Sequence, residues 1–131
     1  MEEPEYDYKD MSPVQVEQKL RYLHDQLGTS TEELRKARQA ELEAQLALTG
    51  AKARATLSPA CPKVARGGCT VAERNAWVQL AIQNEDQAYE TAKVMRQAAT
   101  DYVKTVRDQL AAVQSIGASV REAYRAIGVQ R

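Results

Sequence analysis

Residues 70–127 read TVAERNAWVQLAIQNEDQAYETAKVMRQAATDYVKTVRDQLAAVQSIGASVREAYRAI, and the spacing of their apolar side chains decides the fold. One apolar series recurs every seven positions, with an interruption at Glu85: Val71, Val78, Ala92, Ala99, Val106, Val113, Val120 and Ile127. A second series has the same period: Ala81, Ala88, Met95, Tyr102, Ile116 and Ala123. Two heptad series on one stretch predict an amphipathic coiled-coil helix, and such a helix needs a partner helix.

This long helix is predicted to begin at the capping box formed by Thr70 and Glu73. A bend near Gly117 is one possibility, because small residues cluster there. A straight helix is the favoured form, since the heptad phase continues through Val120 and Ile127.

Residues 13–57 supply the partner helix, after a capping box at residues 12–15. Gly28 and the hydroxyl residues behind it predict a short interruption, which leaves two almost collinear helices at 13–27 and 31–57. The heptad phase nevertheless survives this interruption, in the series Leu20, Leu27, Leu34 and in the series Leu23, Ser30, Ala37, Ala44, Ala51.

Residues 58–69 contain two prolines and a Gly-Gly pair, which end the first arm. A loop of this length between two phased helices predicts an all-α fold, with residues 12–131 forming one antiparallel helical hairpin. Folding about the middle of the loop places Pro13 near Gln114, so the turns after Gln114 are expected to extend beyond the first arm.

The apolar surface of helix 70–127 is wider than a two-helix hairpin covers. A wide apolar face is typical of bundles of three or more helices. The chain is therefore expected to form a homo-oligomer, for example two hairpins assembled as a four-helix bundle. The candidate residues for self-association are Val103, Leu110, Ile116, Val120, Tyr124 and Ile127.

The composition excludes several classes of protein. The 18 basic and 18 acidic residues cancel, so net charge indicates neither nucleic acid nor a membrane as the partner. No apolar run is long enough for a transmembrane helix. His24 is the only histidine, and the motifs of phosphate-loop, dinucleotide-binding and zinc-protease sites are missing. We therefore expect a protein that is not an enzyme and that uses no cofactor or metal.

Residues 1–11 carry five acidic side chains and one lysine, a net charge of −5 + 1 = −4. They contain no apolar stretch of the kind found in signal peptides, so a cytoplasmic location is expected. In the simplest interpretation, these residues form a flexible tail that increases solubility. In the alternatives, Tyr6, Tyr8 and Met11 dock on a helix surface, or the tail screens a basic patch of the protein itself.

The loop and the first turns after it combine basic, glycine and aromatic residues. Lys63, Arg66, Arg74 and Trp77 are the candidates for contacting nucleic acid or a protein partner, because basic side chains bind phosphates and an aromatic ring stacks on bases. In the alternative, the basic residues are merely solvated and Trp77 caps the hairpin end by packing on Leu57 and Val64.

Cys61 and Cys69 lie eight residues apart in this loop. Free thiols are the default in a reducing compartment. A disulfide that closes the loop and a zinc site shared between two subunits are the other possibilities.

The segment from Pro62 to Val78, PKVARGGCTVAERNAWV, resembles a stretch found in small helical proteins of actinobacterial tailed phages, and so does the segment from Leu110 to Tyr124. The resemblance covers residues 12–127 and implies no catalytic residues. It implies an accessory factor in phage DNA recombination or replication, located in the host cytoplasm, that contacts a phage or host protein or nucleic acid. The alternatives are a scaffold or virion assembly protein, and an inhibitor of a host enzyme that acts through the acidic tail.

Overall fold

The computed structural model describes residues 11–129. Three helices follow one another: α1 (Pro13–Leu57), α2 (Val71–Ala81) and α3 (Gln83–Val129). The prediction of an all-α helical hairpin is confirmed. Two compact units divide the chain, and we name them the terminal unit (residues up to Leu34 and from Ala99 onward) and the loop unit (Arg35–Ala98).

The first helix begins at the predicted capping box. The backbone N–H of Gln15 donates to the Ser12 hydroxyl at 3.3 Å, and the Ser12 N–H donates to the Gln15 side chain at 2.9 Å. The predicted boundary of the acidic tail moves by one residue, because Met11 is buried in the core of the terminal unit. The rest of that tail, residues 1–10, lies outside the described residues.

The predicted interruption at Gly28 is wrong, since α1 is one continuous helix. The hydroxyl residues behind Gly28 do not cap a second helix. Instead, Thr31 and Ser30 donate back to the carbonyl oxygen of Leu27, at 2.7 and 3.1 Å. Such bonds satisfy a hydroxyl inside a helix. Ser30 is also buried, so packing at this position favours continuity over a fresh start.

In the terminal unit, the first part of α1 packs antiparallel on the last part of α3. The core consists of five buried side chains: Met11, Val16, Leu23, Leu110 and Val113. Gly117 lies so close to α1 that an added Cβ atom would stand 2.8 Å from Cγ1 of Val16. Helix α3 passes through Gly117 without a break, so the predicted helix continues past this glycine.

The register of the hairpin differs from the prediction. Placing Pro13 near Gln114 means that paired residue numbers add to 127, whereas Val16 and Gly117 add to 133. In the loop unit, Ala51 and Ile82 share one core and also add to 133. The shift of 133 − 127 = 6 residues corresponds to about 9 Å along a helix.

The predicted single helix from Thr70 is interrupted at Ile82. Its backbone leaves the helical region, with φ −107° and ψ 12°. The hydrogen bonds nevertheless continue across the site, from the Ile82 N–H to Val78 and from the Asp86 N–H to Ile82. The side chain of Ile82 is only 1% exposed, packed with Leu48 and Ala51. The interruption therefore coincides with the main anchor of the loop unit.

Which face of α3 meets α1 was predicted only in part. In the first predicted series Val106 and Val113 are buried, as expected, whereas its end members Val71 and Ile127 are exposed. The second predicted series is wrong, because Met95 and Tyr102 are 64% and 51% exposed. Its place is taken by the series one residue later: Ile82, Tyr89, Arg96, Val103, Leu110 and Gly117. A step of one residue is 100° around a helix, which separates an inward side chain from an outward one.

Candidate interaction surface

The loop between α1 and α2 is held in shape by its own hydrogen bonds. The Gly68 N–H donates to the Ala65 carbonyl at 3.0 Å, and the Ala65 N–H donates to the Cys69 carbonyl at 3.3 Å. Gly67 has a φ of +77°, a conformation that glycine adopts without strain. These hydrogen bonds therefore fix the backbone conformation of the loop that carries the basic residues.

The four predicted contact residues lie at this end of the loop unit. Lys63 and Arg66 are exposed in the loop, while Arg74 and Trp77 are half-buried on α2. Helix α2 begins where the Glu73 N–H donates to the Thr70 hydroxyl at 3.2 Å, which is one of the two bonds of the predicted capping box.

The alternative in which Trp77 covers the hairpin end is not supported. Leu57 is 84% exposed, and Val64 and Val71 are exposed as well. Three apolar side chains thus remain open to solvent beside the basic residues. We name this set the loop-end surface, and its members are Leu57, Lys63, Val64, Arg66, Val71, Arg74 and Trp77.

The charge of this region is strongly positive. Residues 52–74 contain five basic side chains and one acidic side chain, a net charge of 5 − 1 = +4. The whole chain, in contrast, has a formal charge of zero. A local excess of positive charge next to apolar side chains suits a partner that is acidic and partly apolar.

Both cysteines are free thiols, with Cys61 buried and Cys69 half-buried. The Cys69 thiol donates to the Thr70 carbonyl oxygen at 3.3 Å. Burial raises the pKa of Cys69, and the carboxylate of Glu73 raises it further. A raised pKa keeps the thiol protonated at neutral pH and slows its reaction as a nucleophile.

Only some of the residues predicted for self-association are exposed to solvent. Val103 and Leu110 are 3% and 8% exposed inside the terminal unit, so assigning them to an interface between subunits is wrong. Ile116 and Val120 are half-buried and pack against the same core. Of the six predicted residues, only Tyr124 and Ile127 are exposed. Sequence reasoning missed Leu80, Val94 and Met95, which are exposed in the loop unit.

His24 is exposed on α1. Among residues 11–129, no three side chains of the His, Cys, Asp or Glu types are grouped closely enough to hold a metal ion. In the same part of the chain, no helix has both the length and the apolarity needed to span a bilayer.

No protein-family model, curated protein or solved structure matches this chain. The fold and the surface therefore define its class by themselves: an all-α helical hairpin whose loop end exposes basic and apolar side chains together.

Proposed function

We propose that this protein is a non-enzymatic interaction protein that binds a partner protein through the loop-end surface. The observation that carries the proposal is that α2 buries no residue, although it contains Val71, Trp77, Val78 and Leu80. An isolated helix of 11 residues is marginal in water. A partner that covers α2 would bury this apolar area and stabilise the helix.

The chemistry of the surface defines the partner. Leu57 and Val71 offer apolar contact, while Lys63 and Arg66 offer positive charge. An amphipathic helix with acidic residues along its edges meets both demands, because apolar contact supplies affinity and opposite charge speeds association. The proposed setting is phage DNA recombination or replication, and it rests on the sequence resemblance alone.

Affinity capture from infected host cells tests this function. The wild-type chain is compared with Leu57→Glu and Val71→Glu, and the matched control is Ile127→Glu, which changes an exposed apolar side chain of α3. We expect one set of proteins to be captured by the wild type and the control but lost from both loop-end variants. Equal capture by all four proteins would refute the proposal.

Binding of nucleic acid by the same surface is the second candidate function. It is favoured by the exposure of Lys63 and Arg66 on the chain segment that precedes Trp77. If both residues contact phosphates, replacing them removes two contacts. The plot of log affinity against log salt concentration then becomes less steep, by about 2 in slope.

The test is fluorescence anisotropy with single- and double-stranded oligonucleotides at 50 and 200 mM salt. Lys63→Ala with Arg66→Ala is compared with Lys104→Ala with Arg107→Ala, a pair of exposed basic residues on α3. Only the first pair is expected to weaken binding. If micromolar protein fails to bind at 50 mM salt, this second function is excluded.

A further inference from the structure

The two edges of the helix pair in the terminal unit differ in how far they are covered. Glu17 and Lys19 lie on opposite edges of α1, because a step of two residues turns a helix by about 200°. The side chain of Glu17 is 70% exposed. Lys19, in contrast, is only 3% exposed. We name the side of the pair that carries Glu17 the open edge and the side that carries Lys19 the covered edge.

The open edge shows what two packed helices leave uncovered. Helices touch along one line and leave a groove on either side of it. On the open edge this groove forms a cavity of about 220 Å³ that is accessible to solvent. The lining residues of the cavity come from both helices: Pro13, Val16, Glu17, Leu20, Gly117 and Arg121.

The covered edge is closed to an extent that two helices do not explain. Lysine side chains are almost never covered so completely unless they are paired. Tyr22, which lies farther round the same side of α1, is half-buried and packs against the core. The Lys19 ammonium lies 5.3 Å from the centre of the Tyr22 ring, within the range of a cation–π contact. Burial on one edge only indicates that a further segment of chain packs there.

The segment that precedes α1 is in a position to cover this edge. Within the described residues, the terminal unit consists of parts of α1 and α3 together with Met11 and Ser12. Met11 is 4% exposed in the core, so the residues before it are joined to an anchor within the helix pair. Lys19 lies six residues beyond Pro13, about 9 Å along α1. Ten extended residues span about 33 Å, which is ample to reach it.

The exposure of side chains on α3 indicates the direction in which this segment runs. Tyr124 and Ile127 follow the buried Leu110 and Val113 by fourteen residues each, so they continue the inward surface of α3 beyond the start of α1. They are nevertheless 55% and 57% exposed. A segment that ran from Met11 along this end of α3 would cover them. The cover therefore lies along α1.

We propose that residues 1–10 pack along the covered edge as a strap that runs back over Lys19 and Tyr22. These ten residues carry five carboxylates and one lysine, a net charge of −5 + 1 = −4. A carboxylate close to the Lys19 ammonium offsets the loss of water around it. Tyr6 and Tyr8 cover apolar surface while their hydroxyl groups remain in water. The strap does not use the loop-end surface, so this proposal and the proposed function succeed or fail separately.

Labelling of lysines in the full chain tests whether the strap covers Lys19. An amine-reactive ester is added, and mass spectrometry of the peptides gives the labelling rate at each lysine. Lys104, which is exposed on α3 of the same unit, is the reference. In the wild type Lys19 is expected to react roughly tenfold more slowly than Lys104 or slower still, because its cover must open first.

A pair of variants shows which residues provide the protection. Tyr6→Ser with Tyr8→Ser should raise the labelling rate at Lys19 to nearly that of Lys104, because the strap loses its apolar contacts. Val14→Ser is the matched control, since Val14 is an apolar side chain 63% exposed at the start of α1. It should leave Lys19 protected. Circular dichroism checks that both variants keep their helices.

Carbodiimide cross-linking of the wild-type chain identifies the covering segment without any substitution. This reagent joins a carboxylate to an amine that is in contact with it. We expect a cross-link between a peptide from residues 1–10 and Lys19, and none to Lys104. In a one-to-one mixture of nitrogen-15-labelled and unlabelled chains, each cross-linked product should carry a single isotope, because the strap and Lys19 belong to the same chain.

Three results would overturn the proposal. If Lys19 stays protected when Tyr6 and Tyr8 are replaced in a folded chain, the helices cover it by themselves. If no cross-link joins residues 1–10 to Lys19, another segment lies on the covered edge. If the cross-linked products carry mixed isotopes, the segment that covers Lys19 comes from a second copy.

Discussion

Gly117 is predicted to accept an added methyl group poorly. An added Cβ atom would stand 2.8 Å from Cγ1 of Val16, which is buried and has a stiff, branched side chain. Gly28 is the matched control, because it also lies inside a helix and has no atom within 4 Å of the same added position. The two substitutions therefore share the helix effect and differ in the contact.

The magnitudes follow from these two effects. Replacing a helical glycine by alanine stabilises by about 1 kcal/mol, which is the full expectation for Gly28→Ala. Overpacking a core contact destabilises by about 1–3 kcal/mol. Gly117→Ala should thus leave the free energy of unfolding unchanged or lower it by up to about 2 kcal/mol. The two variants should differ by about 1–3 kcal/mol, or roughly 4 °C in Tm for each kcal/mol.

Urea denaturation followed by circular dichroism measures the free energy of unfolding of both variants at the same protein concentration. Val16→Ala removes the atom that Gly117→Ala would meet, so the double variant should recover about 1–3 kcal/mol relative to additivity. If Gly117→Ala is as stable as Gly28→Ala, or if the effect of Val16→Ala is the same in both backgrounds, the close contact is not as described.

Three further substitutions test other parts of the structure. Ile82→Ala should lower the free energy of unfolding by about 2–5 kcal/mol in urea denaturation, and a loss below about 1 kcal/mol would show that Ile82 does not anchor the loop unit. Glu41→Leu should destabilise, since Arg96 loses its carboxylate partner, while adding Arg96→Leu should restore stability; additive effects would contradict this coupling. Glu73→Gln should lower the pKa of Cys69, so maleimide labelling of that thiol at pH 8 should become faster, and an unchanged rate would exclude the carboxylate as a cause.

Much of α1 was predictable from the sequence. Both of its heptad series point inward, and Leu34, Leu48 and Ala51 are buried as their spacing requires. The polar position at Glu41 also belongs to this inward surface, where it meets Arg96. The prediction of an interruption at Gly28 failed because hydroxyl residues, which favour the start of a helix, can also donate to carbonyl groups one turn earlier inside a helix.

The basic residues of the candidate site could be predicted from the sequence, but the exposed apolar side chains around them could not. Lys63 and Arg66 are exposed at the loop, as their composition indicated. The exposure of Leu57 was not predicted, because the sequence does not reveal that α2 leaves it uncovered.

The sequence by itself determined the class of fold, the positions of the loop and the helix caps, and one inward line of α3 through Val106 and Val113. Only the tertiary structure decided which neighbouring line completes that inward surface. The series through Tyr102 and the series through Val103 repeat with the same period of seven, and they differ by 100° around the helix. Periodicity cannot choose between them. Packing chose Val103, because Val103 can be buried against α1, and left the line through Met95 as an uncovered surface.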